Sequence, residues 1–160
     1  GDPEIINILP ILKDDFVDVC FKILESNLTR VNLEKAATGV TYKAPPNYGG
    51  YAEAFPNLVN KSEINKPVDL TKAYELTKRY GDKIRVYPAA MELRNDEIYA
   101  IKSRAVGVVG IGNTIGEARQ TSLEGIATIK GGALWHRTDI ASKQHTEKSI
   151  KHMEKLRRKK

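Results

Sequence analysis

The chain has 160 residues, 41% hydrophobic and 29% charged, with a formal net charge of +6, the balance of one soluble globular domain or of a small domain with part of another. No run approaches the roughly 20 apolar residues that span a bilayer, and Gly1-Asp2-Pro3-Glu4 shows neither the basic nor the apolar region of a secretory signal. The single cysteine, Cys20, excludes an internal disulfide framework, and His136, His145 and His152 lack metal-ligand spacing, so a reducing, cytoplasmic setting is expected.

Residues 1–30 read as helical. Asp2 can cap the first segment, Pro3 suits its first position, and Glu4 favours the positive end of the macrodipole. Pro10 ends or kinks it. A second helix is expected from Asp14 or Asp15, with Phe16, Val17, Cys20, Phe21 and Leu24 on one apolar face and Cys20 as a buried packing thiol. Residues 37–42 read as a strand, followed by the loop signal Pro45-Pro46-Asn47-Tyr48-Gly49-Gly50. Residues 53–67 lack periodicity. Asp69 can cap a helix running to Tyr80, which Gly81 stops.

A β-rich stretch follows. Strands are expected over 84–87, 90–94, 98–102 and 105–111, with Asn95-Asp96 as a turn. Thr114-Ile115-Gly116-Glu117 fits a capping box opening a helix that runs to Thr128. A last short strand, broken by Gly131-Gly132, is expected over 129–135. Gly107-Val108-Val109-Gly110-Ile111-Gly112 has the spacing G-x-x-G-x-G rather than that of a dinucleotide-binding turn, and reads better as a strand packed closely on a neighbour. The helix amides after Asn113 remain a candidate anion cradle.

The charge is unevenly placed. Lys143 to Lys160 holds eight basic and two acidic side chains, the whole excess, while residues 1–142 carry eighteen of each sign. A nucleic-acid-binding domain is expected to carry a basic stripe on its folded face, so the tail reads first as a solvated helix. Arg104 and Arg137 each fall at the end of an expected strand. A guanidinium there suits bidentate capture of a phosphate or carboxylate, or an ion pair with a neighbour such as Asp139. His136 is a weak general-base candidate, and Trp135 is most simply core.

In order, Gly1-Asp2-Pro3-Glu4, Leu9-Pro10-Ile11-Leu12-Lys13-Asp14-Asp15, Gly107-Val108-Val109-Gly110, Asn113-Thr114, Glu117-Ala118-Arg119 and Arg137-Thr138-Asp139-Ile140 resemble the C-terminal part of the phosphoribosylamine–glycine ligase family of ATP-grasp enzymes. That family shows R-F-G-D-P-E, L-P-L-L-K-S-D, G-G-R-V-L-G-V, G-D-T-x-x-E-A-R and Y-x-R-R-D-I-G in this order. Here Lys102-Ser103 replaces the glycine pair before Arg104, Asn113 an aspartate, and Ala141 the final glycine.

The resemblance implies an α+β chain in three parts: residues 1–30 ending the ATP-grasp domain, residues 33–141 forming a small β-rich C-terminal domain with a barrel-sandwich-like core, and the basic tail 142–160. It implies a ligase that joins glycine to 5-phosphoribosylamine at the expense of ATP, with Mg or Mn, in purine biosynthesis. The ATP and metal sites are expected in the rest of the ATP-grasp chain, so this chain, opening without Met, reads as a fragment inactive by itself. By resemblance Asp2 and Glu4 orient an ammonium or amine, Arg104 and Arg137 anchor a ribose phosphate or glycine carboxylate, and Asp139 holds Arg137 in register. The alternatives are a nucleic-acid-binding module using the tail, or the equivalent domain of another ATP-grasp enzyme such as a biotin-dependent carboxylase. No membrane partner is expected.

Overall fold

A computed structural model describes residues 3–49, 57 and 59–158, and the chain is α+β. Two short helical segments open it: α1, Glu4–Ile8, and, after a 3-10 turn at Leu9–Ile11 that contains Pro10, α2, Phe16–Leu24. Asp15 caps α2 as expected, its carboxylate accepting from the amides of Val17 and Asp18. Asp2 lies outside the described residues, and no described side chain caps α1.

The central sheet has three antiparallel strands: β1, Ala37–Lys43; β2, Ile84–Pro88; and β5, Val106–Gly112, in the order β1-β5-β2. Tyr42 stands opposite Gly107 and Val40 opposite Val109. Because β5 is central, its run Val106 to Gly110 is buried on both faces. A separate hairpin joins β3, Met91–Arg94, to β4, Glu97–Ala100. Its turn residues Asn95 and Asp96 both take positive φ, which short side chains with local hydrogen bonding tolerate best. Among the described residues these strands form open sheets and close no barrel, which corrects the barrel-sandwich expectation.

Helix α3, Thr71–Tyr80, follows an Asx turn in which Asp69 accepts from the Thr71 amide, and it ends at Gly81 with φ 56. Helix α4, Ile115–Thr128, lies across β5 and β1. The Thr114 hydroxyl accepts from the Glu117 amide, and the Glu117 carboxylate reaches back to Asn113, one residue before the cap. This capping box occupies the Glu117 amide, one of the helix amides after Asn113. Ile84, Val106, Val108, Ile126, Ile129, Leu70 and Ala73 make the core between helices and sheet.

Glycines in β5 set the helix-to-sheet distance. A Cβ on Gly110 would fall 2.0 Å from the Ala118 carbonyl oxygen and 2.6 Å from the Ser122 nitrogen. This is the close-packed strand expected from the glycine spacing. Ser122 uses the proximity, its buried hydroxyl donating to the Val108 carbonyl over 2.8 Å.

Two further expectations fail. Residues 129–135 form no strand; they make isolated bridges, Lys130 to Asp69 and Trp135 to Ala44, around Gly131 and Gly132, both at positive φ. A Cβ on Gly131 would meet the Pro67 oxygen at 1.9 Å, so the segment turns where a strand would run straight. Cys20 is exposed, not buried. Helix α2 turns only Val19 inward, while Phe16, Phe21 and Leu24 are 52%, 57% and 78% exposed. The helical period was correct, but nothing described packs on that face. The tail forms α5, Lys143–Arg157, capped by Ser142, with no buried residue.

Candidate functional site

Consecutive residues of β1 face opposite sides of the sheet. Gly39 packs on the backbone of α4, and Lys43 donates to the Ile129 carbonyl at the end of α4 over 2.7 Å. Val40 and Tyr42 therefore face the other side, where they line a cleft of about 400 Å³. Its wall includes both arginines singled out from the sequence, Arg104 and Arg137, together with His136, Trp135 and, from α1, Asn7.

Arg104 sits just before β5. Its carbonyl accepts from the Ala90 amide, and the next amide, Ala105, donates to the Lys43 carbonyl over 2.8 Å, so the backbone is pinned between β1 and the β2–β3 connection. The guanidinium lies 5.0 Å from the centre of the Tyr42 ring, a cation–π placement. Gly107 makes this shelf possible, because a Cβ there would stand 2.8 Å from the Tyr42 ring.

Arg137 is held by Asp139 through two bonds, Nε donating to Oδ1 over 2.9 Å and Nη2 to Oδ2 over 2.5 Å. Hydrogen bonding to this guanidinium, then its charge, holds the Asp139 carboxyl below its ordinary range despite partial desolvation. The segment carrying both residues is fastened at two points. Trp135 and Ala44 exchange backbone hydrogen bonds at 2.9 and 3.0 Å, and the buried indole donates to the Pro45 carbonyl. Arg119 of α4 donates to the carbonyls of Ile140, over 3.0 Å, and Thr138, over 2.8 Å. Arg119 thus positions the Asp139 loop from outside the cleft. It had entered only as part of a helix-start motif, and a side chain bridging 19 residues to a carbonyl leaves no mark in spacing.

His136 is half-buried; burial, and next the positive charge of Lys43, lower its pKa. Its side chain belongs to the cleft wall. Lys43 is lowered to about 8, by burial first and then by Lys130. Ala141, in the place of a family glycine, adopts φ 53, the left-handed region in which glycine is least strained. Glu4 is exposed at the start of α1 and does not line the cleft, whereas its neighbours Pro3 and Asn7 do. The structure thus unites Arg104, Arg137 and Asp139, leaves Glu4 outside, and does not describe Asp2.

A larger groove of about 670 Å³ lies between the β3–β4 hairpin and Pro45–Asn47. Its Lys66 and Arg94 are paired with Glu63 and Glu92. Among the described residues no three His, Cys, Asp or Glu side chains gather as a metal ion would require. The described residues by themselves do not fit a metal site. No described helix is long and apolar enough to cross a membrane.

No family model matches the chain. It is similar to curated proteins named phosphoribosylamine–glycine ligase: 34% identical to that of Methanobrevibacter smithii over 98% of this chain and 32% of the relative. Likewise it is 35% identical to those of Methanothermobacter thermautotrophicus and Methanocaldococcus jannaschii, over 98% and 99% of this chain and 33% of each relative. These matches favour the ligase over a nucleic-acid module. The chain spans about a third of the length of the relatives it matches, as a C-terminal part does, and over that third it is a relative of the phosphoribosylamine–glycine ligases.

Proposed function

We propose that this chain is the C-terminal part of a cytoplasmic ligase that joins glycine to 5-phosphoribosylamine with consumption of ATP, a step of purine biosynthesis. The observation that carries the reading is the match to ligases along nearly the whole chain. ATP and its Mg or Mn ion are assigned to the other two thirds, as the family resemblance implies. ATP supplies a phosphoryl group that activates the glycine carboxylate. The part given to this chain is to bind and orient.

Two anionic reactants must be brought together, which calls for cations held in place before binding. Arg104, stacked on Tyr42, and Arg137, held by Asp139, meet that need from two walls of one cleft. We assign them the phosphate of 5-phosphoribosylamine or the glycine carboxylate. Asp139 is a positioning residue. Residues 1–30, Asp2 and Glu4 included, are assigned to the end of the ATP-grasp domain, 33–141 to the C-terminal domain, and 142–160 to an extension.

The exposed side chains of α2 supply a test. Phe16, Val17, Phe21, Ile23 and Leu24 are all more than half exposed, and a contiguous apolar face of this kind marks an interaction surface. In this reading the rest of the ligase covers it. Mixing the chain with the other two thirds of the enzyme should restore synthesis of glycinamide ribonucleotide from glycine, phosphoribosylamine and ATP. Phe21→Ser with Leu24→Ser should leave the chain's own stability within about 1 kcal/mol, because both residues face solvent. The same pair should weaken reconstitution at least about tenfold, the 1.4 kcal/mol equivalent of losing part of an apolar contact. Full reconstitution by the double variant would remove α2 from the interface.

A further inference from the structure

β1 is an edge strand. It pairs with β5 on one side, and on the other its described backbone partner is Trp135, which exchanges bonds with Ala44 at 2.9 and 3.0 Å. Main-chain groups turn to alternate sides along a strand, so this exchange orients the residues before it. Ala44 faces the open edge, while Lys43 faces β5 and its carbonyl accepts from Ala105. The same alternation turns the N–H and C=O of Val40 and Thr38 to the open edge. Among the described residues neither makes a main-chain hydrogen bond there, although Val40 is buried and buried amides are nearly always paired.

The cleft runs along this edge. Thr38, Gly39, Val40 and Thr41 line it in unbroken succession, whereas the face of a strand offers only alternate residues. Gly39 has no side chain, and a Cβ there would point at the Arg119 nitrogen of α4, 3.3 Å away. What Gly39 presents to the cleft is therefore main chain. We infer that the open edge of β1 binds a short amide, the N–H groups of Val40 and Thr38 donating to ligand carbonyls and their C=O groups accepting from ligand N–H. The Ala44–Trp135 bridge, Pro3 and Asn7 bound the cleft, and about 400 Å³ suits one or two amide units better than a long strand of a partner. In the reaction proposed above that unit is the glycyl amide of the product; this identification rests on the ligase reading, whereas the edge site does not.

Nuclear magnetic resonance titration of the full chain with two uncharged probes tests the inference. N-acetylglycinamide carries donors and acceptors, and N-acetylsarcosine dimethylamide carries acceptors alone. The first should shift the Thr38 and Val40 amide signals saturably and bind at least about fivefold more tightly than the second, the equivalent of one neutral hydrogen bond. Proline is tolerated where the amide of an edge strand faces away from the ladder, so Thr38→Pro removes one donor and keeps the pairing with β5. It should weaken N-acetylglycinamide about fivefold. Equal binding of the two probes by wild type, shifts centred on α2 or on the Arg94 groove, or no saturable shift would each overturn the edge site, whether or not Thr38→Pro folds. If the edge binds as expected but the chain fails to reconstitute ligase activity, the glycyl identification falls and the amide site stands.

Discussion

Gly110→Ala should cost about 3 kcal/mol or more, the upper range of overpacking, or prevent folding. The added methyl meets backbone, not a movable side-chain end: the Ala118 carbonyl oxygen at 2.0 Å and the Ser122 nitrogen at 2.6 Å. Relief requires α4 to lift off β5 as a body. That shift breaks the buried Ser122–Val108 hydrogen bond and separates Gly125 from the Val108 side chain, 2.7 Å from where a Cβ would lie. Gly116→Ala is the matched control. Its nearest neighbour is the Thr114 hydroxyl oxygen at 3.8 Å, and alanine is the better helix former, so this variant should gain up to about 1 kcal/mol. Urea unfolding of both, with m-values compared, separates the cases. Equal midpoints for wild type and Gly110→Ala would contradict the helix-on-strand packing.

The second large effect concerns anion capture. In the complete ligase, Arg137→Ala and Arg104→Ala should each raise KM for one anionic substrate by about 10- to 150-fold, the equivalent of about 1.5–3 kcal/mol for a hydrogen bond to a charged group. The two losses differ in kind. Removing Arg137 strands the Asp139 carboxylate, whose lowered pKa depends first on that guanidinium, and leaves a negative charge beside the site. Arg137→Ala with Asp139→Ala should therefore recover part of the loss. Arg104→Ala removes the cation from the Tyr42 shelf. Arg137→Lys should rescue poorly, because a lysine cannot reproduce the two parallel bonds to Asp139. Steady-state kinetics in each substrate checks this, and unchanged KM values for all substrates would remove both arginines from the site.

Local chemistry made much of this architecture legible. Asp15, Thr114 and Gly81 act at their helix ends as their side chains dictate. The glycines of β5 signalled close packing before any partner was known, and Asn95-Asp96 turned the hairpin. What stayed hidden depended on distant contacts. The period of α2 marks an apolar face but not whether something covers it, so Cys20 was expected inside and lies outside. The apolar stretch 129–135 had strand composition, yet Gly131 against Pro67 forces a turn. Arg104 and Arg137, 33 positions apart, meet because the Trp135–Ala44 bridge brings the second to the end of β1. The bracing role of Arg119 carries no signal without the fold, since it lies in bonds to the distant carbonyls of Ile140 and Thr138.

Nuclear magnetic resonance of the arginine Nε–H groups and the histidine rings during titration with ribose 5-phosphate is the decisive measurement. Saturable shifts confined to Arg104, Arg137 and the His136 ring, with the Arg94 signal still, are the expected result. Shifts centred instead on Arg94 and the hairpin groove, or none at all up to saturating concentrations, would mean that this cleft does not hold the phosphorylated substrate.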